Sequence, residues 1–151
     1  MQIKYYSKKY PDYIFQEYIE GDEYTCGLYG SESDIRTIIF KRELKGGLTG
    51  HGILVEDSKI ENLLIKIAQN IKLKGSINVQ LRKTKTDAFV FEINPRFSST
   101  VLFRDKLGFH DLIWSLKEAC NLPIEEYKPM NKNIEFYKMY DEIVSIKEKN
   151  E

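Results

Sequence analysis

Residues 14–19, 23–29 and 35–44 concentrate β-branched and aromatic side chains, with Gly21-Asp22 and Gly30-Ser31 to Asp34 between them. Strand formers bounded by turn residues predict an antiparallel meander of three strands. The stretch 45–52, KGGLTGHG, holds four of the nine glycines and predicts a loop. Beyond the cap pair Asp57-Ser58, the residues Ile60, Leu63, Leu64, Ile67, Ala68 and Ile71 recur at helical spacing up to Gly75. That spacing predicts an amphipathic helix with a start and a stop. SINVQLRKT and DAFVFEINP then read as a hairpin. Residues 109–121 predict a second helix whose apolar face is Leu112, Ile113, Leu116 and Ala119. Residues 134–146 predict one or two late strands, and residues 1–12 have no clear period.

At 151 residues and 42% hydrophobic content the chain suits one domain with a real core. The expected organisation is a single domain over 1–151: a lead-in at 1–13, a body at 14–146 and a charged tail at 147–151. Lys plus Arg and Asp plus Glu both number 23, so no net field favours nucleic acid or an anionic membrane, and neither is expected as a partner. Cys26 and Cys120 lie far apart in apolar-patterned segments, which predicts small buried thiols rather than a disulfide or a zinc site. His51 and His110 have no partner at the spacing a triad or zinc site needs. With no signal-like segment and no bilayer-length apolar run, a cytoplasmic setting is expected.

The chemistry concentrates in the hairpin. Side chains alternate faces along a strand, so Ile77, Val79, Leu81 and Phe89, Phe91, Ile93 form two apolar rows. Asn78, Gln80, Arg82 and Val90, Glu92, Asn94 share the other face. Opposed residues in a hairpin keep a constant index sum. Gln80 opposite Glu92 therefore sets Asn78 opposite Asn94 and Arg82 opposite Val90, with Lys85-Thr86-Asp87 as a loop and no bulge. Opposed Cβ atoms lie roughly 5 Å apart, which gathers Gln80, Glu92 and Asn94 into an oxygen-rich cluster. Such a set suits Mg²⁺ that also meets nucleotide phosphates. Arg96, beyond Pro95, is placed to clamp a phosphoryl group. Polar residues on the outer face of a hairpin are also commonplace, and alternation alone leaves a solvated face open.

Asn78-Val79-Gln80 followed by Glu92-Ile93-Asn94-Pro95-Arg96-Phe97 resembles the metal-binding core of the ATP-grasp family, in particular its carbamoyl-phosphate-synthase-like branch. The resemblance implies that Gln80, Glu92 and Asn94 hold Mg²⁺ (or Mn²⁺) on ATP and that Arg96 is the catalytic contact to the transferred phosphate. FQEYIEGDEY, from Phe15 to Tyr24, resembles the family's hinge, which implies that Glu17, Tyr18 and Ile19 line adenine and that Glu23 accepts ribose hydroxyls. Arg42, Lys45 and His51 become candidate substrate contacts. The resemblance spans 14–146 and implies an α+β fold: an antiparallel sheet with helices packed on one face, the C-terminal subdomain of the ATP-grasp fold. The implied function is the ATP- and Mg-binding part of a ligase that activates a small-molecule carboxylate as an acyl phosphate for attack by an amine or similar nucleophile. A non-catalytic remnant or interaction module that keeps the fold is the alternative. In the family a Gly-rich loop and two lysines come from a preceding subdomain, and the hinge lies at the start of this sequence. The resemblance therefore implies a missing N-terminal half or a second chain as partner.

Overall fold

The computed structural model describes residues 2–32, 34–45, 48–130 and 134–139. Six strands, β1 (Asp22–Gly30), β2 (Ile35–Lys45), β3 (Leu48–Leu54), β4 (Gly75–Lys83), β5 (Ala88–Asn94) and β6 (Glu135–Tyr137), form one sheet in the order β5-β4-β1-β2-β3-β6. Every neighbouring pair is antiparallel. The helices are α1 (Gln2–Lys9), α2 (Ser58–Ile71), α3 (Val101–Lys106) and α4 (Asp111–Ala119). Residues 140–146 of the expected late strands, and the tail 147–151, lie outside the described residues.

The α+β antiparallel class holds, but the helices, expected on one face, divide between the two. On one side Ile60, Leu64 and Ala68 of α2 pack on Tyr24, Cys26, Leu28, Ile39, Ile77, Val79 and Leu81. On the other, Trp114 of α4 joins Leu107 and Phe109 against Tyr29, Ile38, Phe40, Leu54 and Phe136. Strand alternation makes both possible, because β1 and β2 each place large side chains on both faces, Tyr24, Cys26, Leu28 and Ile39 on one and Tyr29, Ile38 and Phe40 on the other.

The hinge-like segment was expected as a strand, yet residues 14–19 have no regular structure. Both edges of β1 are already paired, with β2 and β4, so the segment before it cannot fold back onto β1. The third strand of the meander is instead β3, inside the glycine-rich stretch expected to be a loop. Gly52 serves close approach rather than looseness: a Cβ there would lie 2.4 Å from the Phe136 ring.

α2 follows its pattern. Asp57 caps it, its carboxylate accepting from the Lys59 and Ile60 N–H groups at 3.1 and 3.2 Å, and Lys72, in a left-handed conformation (φ 50°), ends it before Gly75. α4 reverses its expected orientation. It buries Asp111 and Trp114 and leaves Leu112, Ile113 and Leu116 42%, 40% and 56% exposed. Trp114 packs at steep ring angles against Tyr29, Phe109 and Tyr127, with centres 5.1–5.4 Å apart, an aromatic cluster that outweighs a leucine stripe, while Asp111 is held by a buried ion pair.

Cys26 lies in the first core, as expected, and burial pushes its thiol up to about 12, whereas Cys120, also expected buried, is exposed at the end of the outward-turned α4. At pH 8 a disulfide reagent is therefore expected to modify one thiol in the native chain and two in denaturant. Rapid native modification of both would contradict this packing. Among the described residues no helix is long and apolar enough to cross a membrane.

Candidate functional site

In the hairpin, Gln80 pairs with Glu92 and Asn78 with Asn94, as the index sum requires. Beyond that point the register shifts: Leu81 faces Val90, Arg82 faces Phe89 and Lys83 faces Ala88. A bulge has taken up one residue, and the turn closes across Thr84–Asp87, with the Thr84 N–H donating to the Asp87 carbonyl at 2.9 Å. The bulge-free ladder with Arg82 opposite Val90 is thus corrected, and so is the apolar row of β5. Val90 packs toward the α2 core, while Phe89, expected inside, is 42% exposed beside Arg82. Bulges re-aim side chains next to functional sites, and this one turns an aromatic ring onto the polar face.

That face carries a cleft of about 660 Å³. The hinge-like residues Gln16, Glu17, Tyr18 and Ile19 form one wall, Phe89, Val90 and Phe91 another, and Glu23, Arg42, Gln80 and Arg82 line the rest. Glu23 sits between two guanidinium groups. Its Oε1 accepts from Arg42 Nη2 at 2.6 Å and Nε at 3.1 Å, and its Oε2 accepts from Arg82 Nη2 at 2.8 Å. Arg42 Nη2 also donates to Gln80 Oε1 at 2.7 Å. Arg82 ties the hinge down, donating to Tyr18 Oη at 3.1 Å and to the Gly21 carbonyl at 3.2 Å, with its guanidinium 4.6 Å from the Tyr18 ring centre. A larger cleft, about 800 Å³, opens at the opposite strand ends around Ser31, Lys74 and Glu118, where Lys74 and Glu32 already pair.

Beneath the polar row lies a buried network. Asn78 Oδ1 accepts from Thr25 Oγ1 at 2.9 Å and from Arg104 Nη2 at 2.7 Å. Arg104, fully buried, also donates to Ser98 Oγ at 2.7 Å and, through Nη1, to Asp111 Oδ2 at 2.8 Å; Ser76 donates to the same carboxylate oxygen at 2.6 Å. Burial pulls the Arg104 pKa down, and Asp111 opposes this. The network fastens α3, α4 and the segment after Pro95 to β4 at the Asn78 end of the row. Gly27 leaves room for it, since a Cβ there would stand 2.9 Å from Arg104 Nη1.

The structure thus brings Glu17, Tyr18, Ile19, Glu23 and Gln80 to one cleft. Glu92, exposed, faces Gln80, and half-buried Asn94 follows on the same side of the strand, beyond the cleft lining. Asn94 Nδ2 is buried without a hydrogen-bond partner among the described residues. Arg96 is exposed at the strand end and donates to the Phe97 carbonyl at 3.1 Å. Of the further candidates, Arg42 lines the cleft. His51 stacks on Tyr137 at the far edge, 4.6 Å between ring centres, and the Lys45 side chain lies outside the described residues. Sequence reasoning placed Arg82 on the face of Gln80 but gave it no role. It also passed over Arg104 and Asp111, which read locally as ordinary helix-surface charges.

A sequence profile described as "ATP-grasp in the biosynthetic pathway with Ter operon" matches residues 9–140. The chain belongs to this ATP-grasp family. Solved structures agree in fold. The phosphoribosylaminoimidazole carboxylase ATPase subunit from Aquifex aeolicus superposes with a TM-score of 0.62 at 12% identity, over 72% of this chain and 36% of that one. Phosphoribosylglycinamide synthetase from Anaerococcus prevotii gives 0.60 at 13% identity, over 79% and 34%. N5-carboxyaminoimidazole synthase from Aspergillus clavatus, in complex with ADP and 5-aminoimidazole ribonucleotide, gives 0.54 at 14% identity, over 69% and 31%. This ATP-grasp chain therefore spans about a third of the length of the structures it matches.

Proposed function

We propose that this chain is the C-terminal, ATP- and Mg²⁺-binding part of an ATP-grasp ligase that activates a carboxylate as an acyl phosphate for attack by an amine or similar nucleophile. The observation that carries the reading is the cleft itself: the hinge-like segment and the Gln80–Glu92 hairpin, far apart in sequence, form separate walls of one nucleotide-sized hollow. The ADP in the Aspergillus clavatus complex adds weight to a nucleotide as its occupant. Tyr18, Ile19 and Phe89 offer apolar surface for a base. Each carboxylate oxygen accepts about two hydrogen bonds. Glu23 Oε1 is filled by Arg42, which leaves one acceptor position on Oε2 for a ribose hydroxyl.

The donor set fits a hard cation. Glu92 and Asn94 would hold Mg²⁺ with Gln80, one carboxylate and two amides, and the orphaned Asn94 Nδ2 calls for an acceptor such as a phosphate oxygen. Bound there, Mg²⁺ would neutralise phosphate charge as the phosphoryl group moves. Arg96 would steady the phosphoryl group from the strand end, and the buried network would keep the row rigid by gripping it at Asn78. A second polypeptide, or a further part of the same one, would supply phosphate contacts from the opposite side.

Isothermal titration with ATP in millimolar Mg²⁺ tests the reading. Saturable binding, weakened by Glu23→Gln, is expected. No binding by the chain, alone or joined to a Gly-rich, lysine-bearing ATP-grasp half, would sink it.

A further inference from the structure

One nitrogen in the cleft serves two masters. Arg42 Nη2 lies 2.6 Å from Glu23 Oε1 and 2.7 Å from Gln80 Oε1, and the Arg42 side chain is only 9% exposed. It therefore joins the carboxylate read as ribose-binding to the amide read as metal-binding. We propose that Arg42 is a positioning residue that makes the cation and the polyphosphate bind together, holding Gln80 against a bare divalent cation and yielding it once phosphate oxygens offer the guanidinium another acceptor. This rests on the proposed assignment of Gln80 to the metal.

The physical case is short. A divalent ion and a guanidinium on the same carbonyl oxygen repel, and burial removes much of the water that would screen them. The amide is also fixed by its bond to Arg42, with its oxygen toward the guanidinium. A polyphosphate changes both conditions at once. It supplies charge-assisted acceptors that suit a guanidinium better than a neutral amide does, and it brings negative charge for the cation to share. Glu23 keeps a cationic partner throughout, because Arg82 stays on its other oxygen.

The prediction is an opposition of signs. Electron paramagnetic resonance of Mn²⁺ measures the bare ion and, with ATP present, the ternary complex. Arg42→Gln is expected to raise affinity for bare Mn²⁺ at least threefold and to lower affinity for Mn–ATP at least tenfold. Arg42→Lys, which keeps the charge, is expected to leave bare Mn²⁺ as weak as in the parent chain. Freeing Glu23 could by itself attract the ion, so the Glu23→Gln/Arg42→Gln double variant, with the parent's local charge, is the control; the rise in bare Mn²⁺ affinity is expected to persist in it. A variant that merely loosened the site would bind both forms more weakly. That outcome, or a rise that vanishes in the double variant, overturns the coupling while leaving the proposed function standing. Failure of the parent chain to bind Mn–ATP overturns the proposed function and this inference together.

Discussion

Asp111→Ala is expected to be the most damaging single change in the chain, costing about 3–5 kcal/mol because it leaves the buried Arg104 guanidinium without its counter-ion. At roughly 2–4 °C per kcal/mol for a domain of this size, the unfolding temperature should fall by about 6–20 °C. Two independent groups lose a partner, since Ser76 donates to the same oxygen. The comparison that removes the unpaired charge, while also losing the Arg104 bonds to Asn78 and Ser98, is Arg104→Met with Asp111→Leu. Replacing both members of a buried pair by apolar residues is often near neutral, so the double variant should be clearly more stable than Asp111→Ala alone. Calorimetry on the three chains decides it. A shift under about 2 °C for Asp111→Ala would show that the pair does not anchor α4 to the sheet.

Glu92→Gln should have the largest effect on ligand binding with almost none on folding. Glu92 is exposed and nearly isosteric with glutamine, so stability should stay within about 0.5 kcal/mol. It is the one carboxylate in the row of Gln80, Glu92 and Asn94. Under the proposed function its loss should weaken Mg–ATP at least tenfold, about 1.4 kcal/mol, while ATP measured with a chelator present changes less than twofold. Equal losses with and without metal would remove Glu92 from the cation site.

The sequence carried the centre of the hairpin and missed its lower half for one reason. An index sum constrains the pairing only while the ladder is regular, and a residue moved from turn to bulge leaves the length of the hairpin unchanged. Gln80 opposite Glu92 could therefore be read correctly while Phe89 and Val90 were assigned to the wrong faces. The outward turn of α4 had a different cause. Local periodicity weighs Leu112, Ile113 and Leu116 as a stripe, but the orientation was settled by Trp114 and Asp111 through Tyr29 and Arg104, partners 85 and seven positions away. The hinge-like segment was legible as a motif and not as a strand, because its role depends on which edges of β1 are free. Arg82 and Arg42 reach the cleft from strands whose neighbours are set only by the sheet order.

The bulge in β5 also makes the strand two half-strands out of phase. Above it, the alternation that presents Glu92 and Asn94 is locked to Asn78 and Gln80; below it, the alternation that presents Phe89 is locked to Arg82. Each half can thus drift in sequence without turning the side chains of the other, so base-facing and cation-facing chemistry can vary separately on one continuous backbone. Deleting Phe91 would merge the halves into one regular ladder in which Val90 still faces Leu81 and Phe89 still faces Arg82, a missing residue that straightens the strand without exchanging inside for outside.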